Sequence, residues 1–305
     1  MSSKTKLILN PMADMGNAWR VTRDLRPLVA EAGNADWSGT VYPGHAAELA
    51  HQAGLDGYQR VIAIGGDGTV HEVVNGLMRL PAEQRPLLGI VPVGSGNDFA
   101  HSLHLPLQPD RALAHALTAP ASRVDIGRMT DENGRVEYFD NTLGIGFDAV
   151  VTIRSHKLPV LRGFAMYLTA VIQTILLNHD PAHMRIQADE NVWEEDAILF
   201  TLCNGPREGG GFVVAPRANN RDGLLDYMLV KKCSRAAMFR LLPEVMRGTH
   251  EQFPQVRFGQ CKTFSLQADR PLYIHADGEI YTSFGSNLRG LHFEILPAAL
   301  NVITG

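Results

Sequence analysis

The chain has 305 residues, 45% hydrophobic and 20% charged, with 28 Lys+Arg against 32 Asp+Glu for a net charge of −4. That length builds one large or two medium domains whose core needs no disulfide or metal, and the slight acidity argues against nucleic acid as the main partner. Cys203, Cys233 and Cys261 form no CxxC pair, which argues against a zinc ribbon, a disulfide scaffold or a thioredoxin-type site and points to a reducing compartment.

The first apolar run, Leu7-Ile8-Leu9, is too short for a signal peptide. The most apolar later stretch, Leu158–Leu177, is interrupted by Arg162 and Gln173 and falls short of the roughly 18 uninterrupted residues of a spanning helix. A cytoplasmic protein is expected, with any membrane contact peripheral.

In chain order, Lys6–Asn10 reads as a buried strand ended by Pro11. Ala18–Ala32 reads as a helix with Val21, Leu25, Leu28 and Val29 on one face, weakened by Pro27. A short helix over Gly44–Ala53, a strand over Arg60–Ile64, a helix over Thr69–Leu80, a strand over Leu87–Val93 and a helix near Asn97–Leu103 follow. Such alternation predicts an open parallel sheet with helices on both faces.

The character changes near Ala119–Ser122. Beyond it the strong segments are strands: Arg123–Met129, Val136–Leu143, His183–Ala188, Ala197–Leu202, Leu224–Val230, Val256–Gln267 and Leu272–Ala276. Several alternate apolar and polar residues as antiparallel strands do. Ser155–Asn178 and Ser234–Arg247 read as the helices of this half. The predicted architecture is an α/β domain over 1–122 and an antiparallel β-sandwich over 123–289, with an apolar tail, 290–305, packing back on the first domain.

Ile64-Gly65-Gly66-Asp67-Gly68-Thr69-Val70-His71-Glu72 carries the most information. A buried strand runs into glycines and then a helix, so backbone can approach a phosphate and a helix N-terminus faces the anion. Thr69 and Glu72 have the spacing of a capping box. A carboxylate beside phosphates, here Asp67, usually means magnesium or its waters. A second such turn, Gly94-Ser95-Gly96-Asn97-Asp98, follows the next strand. Both lie at the carboxyl ends of parallel strands, where ligands of open α/β sheets bind. The chain has no Walker A sequence, and neither turn has the third glycine of G-x-G-x-x-G. His45, His71 and His101 suit no metal site by spacing.

Gly65–Thr69, continued by V-x-E-V-V-N-G-L to Leu77, is similar to the signature of the diacylglycerol kinase catalytic domain, a group that includes bacterial lipid kinases and sphingosine and ceramide kinases. Asn10-Pro11, Thr40 with Pro43-Gly44-His45-Ala46, Pro92–Phe99, Asn141–Asp148, Asp222-Gly223-Leu224-Leu225-Asp226 and His275-Ala276-Asp277-Gly278-Glu279 resemble further motifs of that family. NAD kinases and phosphofructokinases share the G-G-D-G core.

The resemblance implies transfer of the γ-phosphoryl group of ATP, with Mg2+, to a lipid hydroxyl such as that of diacylglycerol. The ATP contacts it implies are Asn10, Thr40, Gly65, Gly66, Asp67, Gly68, Thr69, Val70, His71, Glu72, Gly94, Ser95, Asn97 and Asp98. It maps a structural magnesium to Asp222, the carbonyl of Leu224 and Asn219. Asp277 and Glu279 are the candidate bases, and which of them acts stays open. Asp14 stands where the family's first motif has a glycine, and a carboxylate there would repel phosphates.

The expected partner is a lipid at a membrane surface, with no nucleic acid; a homodimer is left open. Arg154, Lys157 and Arg162 beside the apolar segment Gly163–Leu177 either solvate a helix start or touch anionic lipid. The alternatives are a soluble-substrate kinase with the same core, such as an NAD kinase, and a nucleotide-binding module without turnover.

Overall fold

In a computed structural model, residues 4–158 and 163–305 are described. The chain divides into two compact units, Met1–Asp125 with Ala298–Gly305, and Ile126–Pro297.

The first unit is β1 (Thr5–Leu9), α1 (Asn17–Ala32), β2 (Ala35–Gly39), α2 (His45–Leu55), β3 (Arg60–Gly65), α3 (Asp67–Met78), β4 (Leu87–Pro92), α4 (Asp98–Ser102) and α5 (Pro109–Thr118). Its strands pair in parallel in the order β2-β1-β3-β4. Leu7, Ile8, Val61, Ile62, Ala63, Ile64, Leu88 and Val91 are fully buried. Continuous apolar strands of this kind are those covered by helices on both faces. The α3 backbone packs tightly on α2: a Cβ on Gly76 would stand 2.2 Å from the Ala47 carbonyl oxygen.

Two elements here were not foreseen. β2 (ADWSG) is a half-exposed strand at the edge of the sheet, paired with β1, so it lacks an apolar run. α5 starts with Pro109 in its first turn, a good helix opening, and buries Ala112, Leu113 and Ala116.

The second unit holds β5 (Ala121–Asp131), β6 (Val136–Phe139), β7 (Thr142–Gly146), α6 (Phe147–Ser155), α7 (Gly163–Leu177), β8 (Ala182–Ala188), β9 (Asn191–Cys203), β10 (Leu225–Lys231), α8 (Arg235–Arg247), β11 (Val256–Cys261), β12 (Thr263–Ala268), β13 (Ile274–Ala276), β14 (Glu279–Thr282) and β15 (Gly290–Ile303). β5 starts in the first unit and β15 ends there. The strands of the second unit pair antiparallel. β8 alternates buried and exposed residues strictly, so one of its faces is core.

One core layer stacks Phe200, Phe264, Phe293 and Tyr227, with neighbouring ring centroids 4.5–6.0 Å apart. A second gathers Phe147, Val151, Val171, Ile175, Phe212, Met228 and Leu241 under α6, α7 and α8. Buried aromatic area of this size dominates a core's energetics.

The expected strand 136–143 breaks at Asp140 and Asn141, and 256–267 breaks at Lys262, whose N–H and that of Thr263 donate to the Asp189 carboxylate. Ser155 ends α6 rather than starting a helix. Arg162 lies outside the described residues. Ser234 caps α8 by accepting from the Ala237 N–H, as its position predicts.

The tail is a strand rather than a loose segment. Val302 pairs in parallel with Leu88, Arg85 Nη1 donates to the Ala299 carbonyl (2.8 Å), and the Ala298 N–H donates to Asp125 (2.7 Å).

Candidate functional site

In the first unit the two glycine turns form one structure. A Cβ on Gly94 would lie 2.5 Å from Gly66 Cα, and one on Gly66 would lie 3.1 Å from Gly94 Cα. The turns touch backbone to backbone, which only glycine at both positions permits. Asn97 closes the second turn, accepting from the Gly94 N–H and donating to the Gly94 carbonyl (2.9 Å each). Asp67 ties the turns together: its carboxylate accepts from the Asn97 N–H (2.7 Å) and reaches the Phe99 N–H (3.5 Å). Burial and the Asp98 charge push Asp67 up to about 7.

No side chain caps α3. The capping-box expectation is therefore corrected. The helix starts at Asp67, because Gly66 supplies the extended cap residue, so Thr69 is already inside the helix. Thr69 Oγ1 instead accepts from Asn10 Nδ2 (3.1 Å). Glu72 caps the neighbouring helix: its carboxylate accepts from the Gly44 N–H (2.7 Å) and the Ala46 N–H (2.9 Å) at the start of α2.

Of the remaining residues of this unit, Thr40 follows the end of β2, its N–H donating to the Leu9 carbonyl (2.8 Å). Ser95 is exposed at the tip of its turn, while Val70, His71 and Asp98 are buried. Asp14 and Met15 adopt left-handed backbone, and the Asp14 carboxylate accepts from Asn17 Nδ2 (3.2 Å). Met12, Met15 and Trp19 are exposed in and beside this loop.

In the second unit, Asp277 and Glu279 have different surroundings. Asp277 is buried with left-handed backbone (φ 51°). Its carboxylate accepts the N–H groups of Asp140 (3.0 Å), Asn141 (2.9 Å) and Thr142 (3.0 Å). It clamps the chain entering β7. Glu279, across Gly278, is exposed.

Asn219, Asp222 and Leu224 share the loop before β10. Asp222 Oδ1 accepts from the Leu224 N–H (3.0 Å), and the Asp222 N–H faces the Asn219 carbonyl (3.4 Å). Carboxylate and carbonyl oxygens are the donor set a hard cation such as magnesium takes. Nearby Asp226 is pushed up to about 6 by burial and, more weakly, by the Asp222 charge.

A third cluster was not foreseen as a cluster, although Asp148 closes one sequence motif and His275 opens another. Asp148 on α6, Glu208, and His275 on β13 are buried with their polar atoms converging. His275 Nε2 lies 3.2 Å from Asp148 Oδ2 and 3.5 Å from Glu208 Oε1. The Tyr167 hydroxyl donates to Asp148 Oδ1 (3.1 Å) and contacts Glu208 Oε1 more closely. Burial pushes Glu208 up to about 8, helped by the Asp148 charge.

Asp148 and Glu208 also border a narrow cavity of about 70 Å³ under α6, α7 and α8, whose other walls include Val151, Val171, Leu199, Met228 and Leu241. These partners are 60 or more residues apart in places, so local pattern could not reveal them. Among the described residues no helix is long and apolar enough to cross a membrane.

The sequence profile of the diacylglycerol kinase catalytic domain matches residues 4–129, and that of the YegS C-terminal NAD kinase β-sandwich-like domain matches residues 141–304. A YegS-like lipid kinase of Chromohalobacter salexigens is 35% identical, covering 96% of this chain and 94% of its own length. A diacylglycerol kinase of Staphylococcus epidermidis is 30% identical over 97% of this chain and 92% of its own. The crystal structure of a diacylglycerol kinase from Bacillus anthracis has the same fold, with a TM-score of 0.75 at 23% identity, over 99% of this chain and 97% of that one.

Proposed function

We propose, from the premise that this chain belongs to the diacylglycerol kinase family, that it is an ATP- and magnesium-dependent kinase phosphorylating the hydroxyl of diacylglycerol or a related lipid. The observation that carries the reading is the pair of glycine turns packed through Gly66 and Gly94 at the start of an α3 that no side chain caps. Main-chain N–H groups at a helix start suit a polyphosphate. Asn10, Thr40, Gly65–Glu72, Gly94, Ser95, Asn97 and Asp98 are assigned to ATP. Within that set Asn10, Asp67, Glu72 and Asn97 act by holding the turns and helices in place, since their side chains bond to the protein itself.

Asn219, Asp222 and Leu224 are assigned to magnesium, which when bound would order the loop before β10. Of the two candidate bases, Glu279 is assigned the proton of the acceptor hydroxyl. Asp277 is assigned the clamp, because both of its oxygens already serve main-chain N–H groups. The cavity beneath α7 and α8 is assigned to acyl methylenes. Its volume is far below the roughly 300 Å³ of an ordinary ligand pocket, so an acyl chain enters only as those helices yield.

The test is thin-layer chromatography after incubation with γ-labelled ATP, mixed lipids and NAD. Label in lipid, lost on omitting magnesium, supports the reading; label in NAD and in no lipid overturns it.

A further inference from the structure

We propose that His275 is a positioning residue for phosphoryl transfer, holding the Asp277-Gly278-Glu279 turn through Nδ1 and releasing it when that nitrogen is protonated. The proposal rests on the reading of Glu279 as base and adds to it a group that touches neither substrate nor cofactor.

The imidazole is fully buried on β13. Nδ1 accepts from the Gly278 N–H at 3.3 Å, a bond that requires the neutral ring with Nδ1 bare and the proton on Nε2. Nε2 in turn faces Asp148 Oδ2 and Glu208 Oε1. With the ring proton on Nε2, the three converging side chains share a proton. Gly144 makes room for it: a Cβ there would stand 2.2 Å from both Asp148 Oδ2 and His275 Nε2.

The charges around the ring set its response. Asp148 comes from α6, Glu208 from the loop after β9, and Asp277 from the end of the same strand, with the Tyr167 hydroxyl of α7 joining the two acids. Burial favours a neutral ring, yet Glu208 and Asp148 outweigh it and hold His275 up at about 9. The second proton has only Nδ1 to occupy, and there it meets the Gly278 N–H. Two donors then face each other and the bond is lost.

The Asp277 clamp remains, together with the Asp277 N–H donating to the Thr142 carbonyl (2.7 Å). What loosens is the Gly278 peptide, immediately before Glu279. A left-handed Asp277 is a strained conformation that persists only when its surroundings over-determine it, so losing one tie frees this turn more than it would a relaxed one.

The experiment measures kcat for the lipid and KM for ATP from about pH 6 to about pH 10 in the unmodified chain, Glu208→Gln and His275→Gln. In the unmodified chain kcat rises with pH as Nδ1 is freed. Glu208→Gln removes one of the acids holding the second proton, so the rise moves to lower pH by about one unit or more. His275→Gln abolishes the rise and lowers kcat about 10-fold or more at high pH, with KM for ATP within about twofold. A merely structural role would lower kcat equally at every pH and leave the rise in place. That result, or an unshifted rise in Glu208→Gln, overturns the proposal.

Nitrogen NMR of the histidine rings in the unmodified chain gives a reading independent of variant folding. Nδ1 is expected bare at high pH and protonated over the interval where kcat falls; an Nδ1 that stays protonated throughout overturns the proposal. If no lipid is phosphorylated at all, the kinase reading fails while the NMR result still decides the role of His275.

Discussion

Gly94→Ala tests the twin-turn cradle with the smallest perturbation available. Gly94 is not in left-handed backbone, so alanine meets no torsional penalty and the effect is purely steric. The new methyl would sit 2.5 Å from Gly66 Cα and 2.8 Å from Asn97 Oδ1. Ordinary contact begins at about 3.4 Å, so the turns must separate by roughly 1 Å. The opposing atom is backbone and cannot rotate away.

Overpacking of this kind costs about 1–3 kcal/mol of stability. A 1 Å misplacement of a positioning element costs about 100-fold in rate, or about 2.7 kcal/mol. The assay is ATP affinity by calorimetry with kcat and KM for ATP, beside urea unfolding to separate the two losses. The expected result is a rise in ATP KM or fall in kcat totalling about 100-fold, while lipid KM stays within about twofold. Gly94→Ala with unchanged ATP affinity, turnover and unfolding midpoint would refute the reasoning.

Glu279→Gln is expected to lower kcat about 100-fold or more with the unfolding midpoint unchanged, since a general base contributes at least that much and this one is exposed. Asp277→Ala is expected to lose about 2–4 kcal/mol in urea unfolding, because it strands the N–H groups of Asp140, Asn141 and Thr142. Val171→Phe fills the cavity under α7 and should raise KM for a long-chain acceptor about 10-fold without changing KM for ATP; unchanged lipid kinetics would remove the cavity from the acceptor's path.

Thermal stability should fall from about pH 6 to about pH 9. Asp67, Glu208 and His275 are raised to about 7, about 8 and about 9. A raised group stabilises fully below its unfolded value, and that contribution is lost as pH climbs through the folded one. Asp148 is held down, despite burial, by His275, so its contribution disappears only on acidification below the ordinary carboxylate range. A melting temperature rising steadily from pH 6 to pH 9 would contradict these signs.

The parallel sheet was legible because its strands are buried on both faces and therefore read as unbroken apolar runs such as Val61–Ile64. β2 was not, because an edge strand can carry Asp36 and Ser38 without burying them fully. The glycine turns were legible as motifs, but not their mutual contact, since the pairing of β3 with β4 and the reach of Asp67 to Asn97 bring Gly66 and Gly94 together across the fold. Glu72 shows the limit of local spacing: a residue placed to cap its own helix caps α2, because α3 lies against that helix and starts earlier. Asp277 and Glu279 look equivalent as a motif and differ only through long-range partners at 140–142. His275 opens the same motif, but its meeting with Asp148 and Glu208 was not legible, because they reach it only through the fold.

Mass spectrometry of a membrane lipid extract after incubation with ATP and magnesium tests the central claim most directly. The account predicts lipid species that each gain one phosphate with the unmodified chain and do not with Glu279→Gln. Unchanged lipids with a well-folded, ATP-binding chain would contradict it.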